Sequence, residues 1–80
     1  MHLKILSFGI AKEIVGSQVL DFELESKATV GDLKRRLLER FPDFMALSSL
    51  AIAVDGTYAE DDWPVLEEQE IALIPPVSGG

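Results

Sequence analysis

The segment Val19-Leu20-Asp21-Phe22-Glu23-Leu24-Glu25 alternates apolar and acidic positions from Leu20 onward. A period of two places Leu20, Phe22 and Leu24 on one face and the three acids on the other, which predicts a half-buried strand with one wet side. Leu3-Lys4-Ile5 opens a similar pattern, which grows more apolar through Leu6 and Phe8. Between the two strands, Ala11-Lys12-Glu13-Ile14-Val15 followed by Gly16 reads as one short helical turn with a glycine stop.

The period then changes. Val30, Leu33, Leu37 and Phe41 recur at helical spacing and form one apolar stripe. Thr29-Val30-Gly31-Asp32 supplies a start signal: the Thr hydroxyl can accept from a first-turn amide, and the acid favours the positive end of the helix. Lys34, Arg35, Arg36 and Arg40 fall mostly off the stripe and read as a solvated face, while Pro42 stops the helix. Leu50-Ala51-Ile52-Ala53-Val54 returns to strand, with Leu50, Ile52 and Val54 on one side. Asp55-Gly56 is a tight-turn signal because both residues tolerate positive φ, and Thr57-Tyr58-Ala59 reads as a short return strand. Asp61-Asp62-Trp63-Pro64 and Glu67-Glu68-Gln69 read as turns around Val65-Leu66. Glu70-Ile71-Ala72-Leu73-Ile74 is the last strand, ended by Pro75, which has no N–H to donate to a ladder.

Two strands, a helix, then two or more strands give an α+β class: a mixed sheet covered on one face by a helix. The expected core is Leu20, Phe22, Leu24, Val30, Leu33, Leu37, Ile52, Val54, Ile71 and Leu73. The order in which the strands pair is not readable from these patterns. Eighty residues make one domain with a modest core, here residues 1–74, followed by a flexible tail over 75–80.

Charge adds an asymmetry. All seven Lys and Arg lie in the first forty residues beside six acids, whereas the second forty carry eight acids and no base. The halves come to about +1 and −8. Nucleic acid is a poor partner for such a chain, since phosphate binding needs a basic patch. The acidic half is expected instead to steer a basic partner toward the tail. No apolar run is long enough to span a bilayer, and Met1-His2-Leu3-Lys4 lacks a signal-peptide layout, so a cytoplasmic protein with no membrane partner is expected.

Chemistry-bearing residues are few. The sequence contains no cysteine and a single histidine, His2, so a thiolate site is excluded and no metal site is expected. Gly9 and Gly16 are isolated and form no phosphate loop. The acid pair Asp61-Asp62 reads as solvated, and Tyr58 and Trp63 as packing residues. No stand-alone enzyme is expected. What remains is the ending Ile74-Pro75-Pro76-Val77-Ser78-Gly79-Gly80. The two prolines favour an extended stem, and six residues from Pro75 to Gly80 span at most roughly 20 Å. Gly79 and Gly80 lack a Cβ and can thread a narrow channel. The Gly80 carboxylate is unhindered, but it is a poor electrophile until another enzyme activates it.

The stretches ILSFGIAKEIVG, ATVGDLKRRLLERFP, LAIAVDGTYAE and EIALIPPVSGG resemble, in order and over essentially the whole chain, the small sulfur-carrying subunits of molybdopterin synthase within the ubiquitin-like sulfur carriers. The sequence departs from that pattern at Asp55-Gly56-Thr57, where relatives commonly place Asn and an acid; only a turn should change. The resemblance implies a ubiquitin-like β-grasp fold and a carrier role for Gly80 in molybdenum cofactor biosynthesis. An E1-like enzyme would adenylate its carboxylate with ATP, a sulfur donor would convert it to a thiocarboxylate, and the sulfur would pass to a pterin precursor in the large synthase subunit. Pro75, Pro76, Val77, Ser78 and Gly79 would be the partner-binding residues, with no cofactor held by the chain itself. A thiamine-type carrier, a ubiquitin-like protein modifier and a β-grasp interaction module remain as alternatives.

Overall fold

The computed structural model describes residues 1–47 and 49–75. Its elements are β1 (His2–Ser7), α1 (Gly9–Val15), β2 (Val19–Glu23), α2 (Val30–Arg40), a short 3-10 helix (Pro42–Ala46), β3 (Ala51–Val54), β4 (Thr57–Tyr58) and β5 (Ile71–Ile74). The five strands form one sheet in the order β2-β1-β5-β3-β4. β1 and β5 run parallel at its centre, and the other pairs are antiparallel. This mixed sheet with a helix on one face is the expected ubiquitin-like β-grasp.

Register decides which residues share a face. Leu3 pairs with Phe22, Ile5 with Leu20 and with Ile71, Ser7 with Leu73, Ile52 with Leu73, and Val54 with Ile71. These inward residues are all buried and join Val30, Leu33 and Leu37 of α2 in one core. All ten expected core residues belong to it. It also takes in Leu3, Ile5, Ala11, Ala28, Phe44 and Val65. Val65, read as part of a turn, is buried because its N–H donates to the Ala28 carbonyl at 2.9 Å, tying the late loop to the segment before α2.

Local signals act as their chemistry requires. Gly16 closes α1 at φ 86°, a left-handed conformation that glycine adopts without steric cost. The reciprocal cap of α2 is complete: Asp32 N donates to Thr29 Oγ1 at 3.2 Å, and Thr29 N donates to Asp32 Oδ2 at 2.9 Å. Asp55 and Gly56 take φ 51° and 81°, the paired positive values of a tight hairpin turn between β3 and β4. The strand expected from Leu50 begins at Ala51, and β4 ends at Tyr58.

Candidate functional site

The place where the chain leaves the sheet is set by β5. Lying between β1 and β3, its end at Ile74 is held by the pairing with Ala51 on one side and follows the Ser7–Leu73 pairing on the other. Pro75, the next residue, is partly buried. It packs against the start of α1: a Cβ placed on Gly9 would lie 3.6 Å from Pro75 Cγ. Gly9 itself has φ +55°, so a side chain there would be strained even though the space would admit it. Of the candidate partner-binding residues, Pro75 alone is placed. Pro76, Val77, Ser78, Gly79 and Gly80 lie outside the described residues.

Around this exit the strand ends are uncharged. β1 ends in Leu6 and Ser7 and continues into Phe8, β2 begins at Val19, β3 begins at Ala51 and β5 ends at Ile74. The charges gather at the other end of the sheet. There Asp55 N donates to the Glu70 carbonyl at 2.8 Å, and Glu70 N donates to Asp55 Oδ1 at 2.9 Å. At the same end His2 N donates to Glu67 Oε2 at 3.2 Å. Thus Asp55, Glu67 and Glu70 sit at the end of the sheet away from the tail exit. Alternation alone could not reveal this, because the parallel β1–β5 pairing sets which strand ends coincide.

His2 is better partnered than its position at the start of the sequence suggests. Its Nδ1 lies 2.8 Å from Glu23 Oε1 and its Nε2 3.3 Å from Asp21 Oδ1. Hydrogen bonds to Glu23 first, then Asp21, raise its pKa above the ordinary 6.5. The cluster is exposed and lies at the end of the sheet opposite the exit at Ile74. Asp32 is shifted the other way, below 3.8, chiefly because the Thr29 amide and hydroxyl donate to its carboxylate. Among the described residues no group of three or more His, Asp or Glu is arranged to hold a metal, and no helix is long and apolar enough to cross a membrane. A cleft of about 290 Å³ is lined by Leu38, Phe44, Met45, Leu47 and Leu50, together with Lys34 and Ser49. Lys34 Nζ is 2.7 Å from Asp61 Oδ1.

The α2 cations are also spoken for, as the solvated-face reading expects. Arg35 bonds Asp32 at 3.0 Å, Arg36 lies 3.7 Å from Glu39, and the Arg40 guanidinium stands 5.4 Å from the centre of the Phe41 ring. What the strand-by-strand reading of the sequence missed is the apolar character of the sheet's outer face near the exit. The signal was present where alternation failed: Leu6 in β1, and Ala72 and Ile74 in β5, are apolar at positions that face outward.

Relatives share both fold and length with this chain. A molybdopterin synthase sulfur carrier subunit of Caenorhabditis briggsae is 35% identical, with 100% of this chain and 99% of the relative aligned. The structure of SAMP1 from Haloferax volcanii superposes with a TM-score of 0.82 at 25% identity, covering 100% of both chains. A chain from the complex of subunits 1 and 2 of the molybdopterin-converting factor of Helicobacter pylori shares the fold, with a TM-score of 0.66 at 22% identity over 100% of both. The model of the ThiS family matches residues 5–80, and the chain belongs to that family.

Proposed function

We propose that this chain is the sulfur carrier subunit of a molybdopterin synthase and that its working group is the Gly80 carboxylate. The observation that carries the reading is end-to-end alignment with relatives of that description. The fold supports it, because the central strand β5 leads straight into the segment that ends at Gly80. An E1-like enzyme joins the carboxylate to the adenylyl group of ATP and releases pyrophosphate. A donor at the sulfide level then displaces AMP, which leaves a thiocarboxylate. In the large synthase subunit that sulfur displaces an oxygen leaving group of a pterin precursor, and water then cleaves the resulting thioester, leaving the sulfur on the pterin and restoring the carboxylate. The chain supplies no acid, base or bound cofactor to these steps, so it is a non-catalytic subunit, acting in the cytoplasm. The absence of cysteine from the sequence fits a terminal carrier, since no side-chain thiol competes for the activated end.

The test is mass spectrometry of the C-terminal peptide after incubation with ATP, the activating enzyme and a sulfur donor. One oxygen replaced by sulfur at Gly80 is expected, and an unchanged peptide would overturn the reading. A second reading, protein modification, is favoured by the likeness to SAMP1, a small archaeal modifier protein. It requires isopeptide-linked conjugates of this chain, which the same spectrometer would detect.

A further inference from the structure

The sheet has two edges. One is β4, only two residues long, and the other is β2, with five. Hydrogen bonds fix which backbone groups of β2 face its open side. Met1 N and Leu24 N each donate to the other residue's carbonyl, and Ser7 N donates to the Gln18 carbonyl at 2.8 Å. Such close pairs alternate along an antiparallel ladder, so Gln18, Leu20, Phe22 and Leu24 turn their backbone groups toward β1. Val19, Asp21 and Glu23 therefore turn theirs outward. The Val19 carbonyl accepts from the Ser17 hydroxyl at 2.8 Å, which leaves the N–H groups of Asp21 and Glu23 as open donors on the edge.

A groove of about 430 Å³ runs beside this edge, between Asp21, Phe22 and Glu23 of β2 and Arg36, Glu39 and Arg40 of α2. Arg36 lies 3.9 Å from Glu25 and 3.7 Å from Glu39. Arg40 has no carboxylate within 4.0 Å among the described residues, and its guanidinium stands 5.9 Å from the centre of the Phe22 ring. On the outer face of the sheet, His2 engages Glu23 Oε1 and Asp21 Oδ1. The second oxygen of each carboxylate has no partner among the described residues. The edge thus offers backbone donors, two part-free acids on one face and one carboxylate-free cation on the other.

Charge decides the occupant. A second copy paired antiparallel through the same edge would set Asp21 against Asp21, or Asp21 against Glu23 one register on. Like charges directly opposite are destabilising, and they are a device that keeps edges from self-pairing. We propose that β2 instead takes a sixth strand from a partner protein: an extended segment, antiparallel to β2, with Lys or Arg opposite Asp21 and Glu23. Between those two cations the segment carries an acid, opposite Phe22 and within the groove beside Arg40. Main-chain bonds to the Asp21 and Glu23 amides supply the attachment, and the alternating charges supply the selection. The edge is two strands from β5, about 10 Å. A partner held there leaves the end of β5 uncovered, so the proposal is independent of what Gly80 carries.

The experiment titrates the capped peptide Thr-Lys-Glu-Lys-Ile-Val-Thr into the isotope-labelled full-length chain and follows amide hydrogen exchange by NMR. When nine-tenths of the chain is bound, exchange at the Asp21 and Glu23 amides is expected to slow about tenfold, since only the free fraction exchanges. Leu20 and Phe22, whose amides already face β1, should change little. The charge-swapped peptide Thr-Glu-Lys-Glu-Ile-Val-Thr is expected to bind about tenfold more weakly, from three cross-strand pairs reversed. Arg40→Ala should weaken binding of the first peptide roughly threefold, the worth of an exposed ion pair. Asp21→Pro removes an amide that the ladder does not use, so the fold should persist on an edge strand while binding is lost; melting of both variants is recorded alongside. If Asp21→Pro unfolds, Arg40→Ala and the exchange pattern decide. Equal binding of the two peptides, protection centred away from β2, or no binding at all would overturn the proposal. Protection of Asp21 and Glu23 that grows with the concentration of the chain alone would overturn it too, and would assign the edge to a second copy.

Discussion

His2 bridges two carboxylates on the β1–β2 edge, Glu23 at 2.8 Å and Asp21 at 3.3 Å, so protonation of one ring has a structural consequence. A histidine whose folded pKa is raised above the ordinary 6.5 holds its proton more tightly in the native state. Its contribution is fully present below about pH 6.5 and fades as the pH rises through the raised value. His2→Gln should therefore lower the melting temperature most below about pH 6.5, and the gap from wild type should narrow as the pH rises through the raised value. A gap independent of pH would rule the ring's charge out as its cause. Ser7 poses a different question. It is fully buried, and its Oγ has no hydrogen-bond partner among the described residues. Ser7→Ala removes a desolvated hydroxyl from an apolar site, so calorimetric melting should show stability unchanged or raised by roughly 1 kcal/mol. Neither residue's role was legible in the sequence. A histidine near the start shows no partner until strand pairing supplies one, and a serine between Leu6 and Phe8 looks like an outward position until register places it opposite Leu73.

Helix α2 shows why elements were more legible than single residues. Its apolar stripe and its Thr29–Asp32 cap both lie within a few residues of sequence, and both form as read. Thr29→Ala removes the acceptor for Asp32 N and should cost about 1 kcal/mol in denaturant unfolding. It should also relax the carboxyl of Asp32 part of the way toward its ordinary value: the Thr29 amide, the first cause of the lowering, is kept, and the hydroxyl, the second, is lost. The stabilisation linked to that lowering is present above about pH 3.8 and lost as pH falls through the lowered value, so the variant should differ less from wild type in strong acid. Leu33→Ala, by contrast, empties a fully buried position and should cost roughly 2–5 kcal/mol. If both substitutions cost the same, the ranking of core over cap would be wrong. The loops were less legible. Val65 donates to Ala28, and the Asp61 and Trp63 carbonyls accept from Gly31 and Val30 at the start of α2. These long-range bonds fasten the loop to the helix, and nothing in its own turn-rich composition announces them.

At the scale of the molecule, the class and the core followed from periodicity, whereas the strand order did not. β5 enters the sheet beside β1, more than sixty positions away in the sequence, and joins it to β3; such pairing depends on the whole chain. That central placement divides stability from function. Among the described residues the buried core reaches no further than Leu73, and the proposed carrier group comes seven residues later, at Gly80. Deleting Gly79 and Gly80 should therefore leave the melting temperature within about 2 °C of wild type, as expected where no core contact changes. The same deletion should abolish thiocarboxylate formation. Adding a single residue after Gly80 should abolish it as well, because the carboxylate then lies about 3.5 Å beyond its place, far outside the tolerance of positioned chemistry. Gly79→Val tests the passage rather than the reacting group: the fold should persist while a β-branched side chain obstructs a channel fitted to bare backbone. Intact mass after reaction with ATP, the activating enzyme and a sulfur donor reads all three variants at once. If the truncated or extended chain still acquires sulfur in place of oxygen at its terminus and supports dithiolene formation, then the identity and position of Gly80 do not matter, and the assignment of the working group to Gly80 fails.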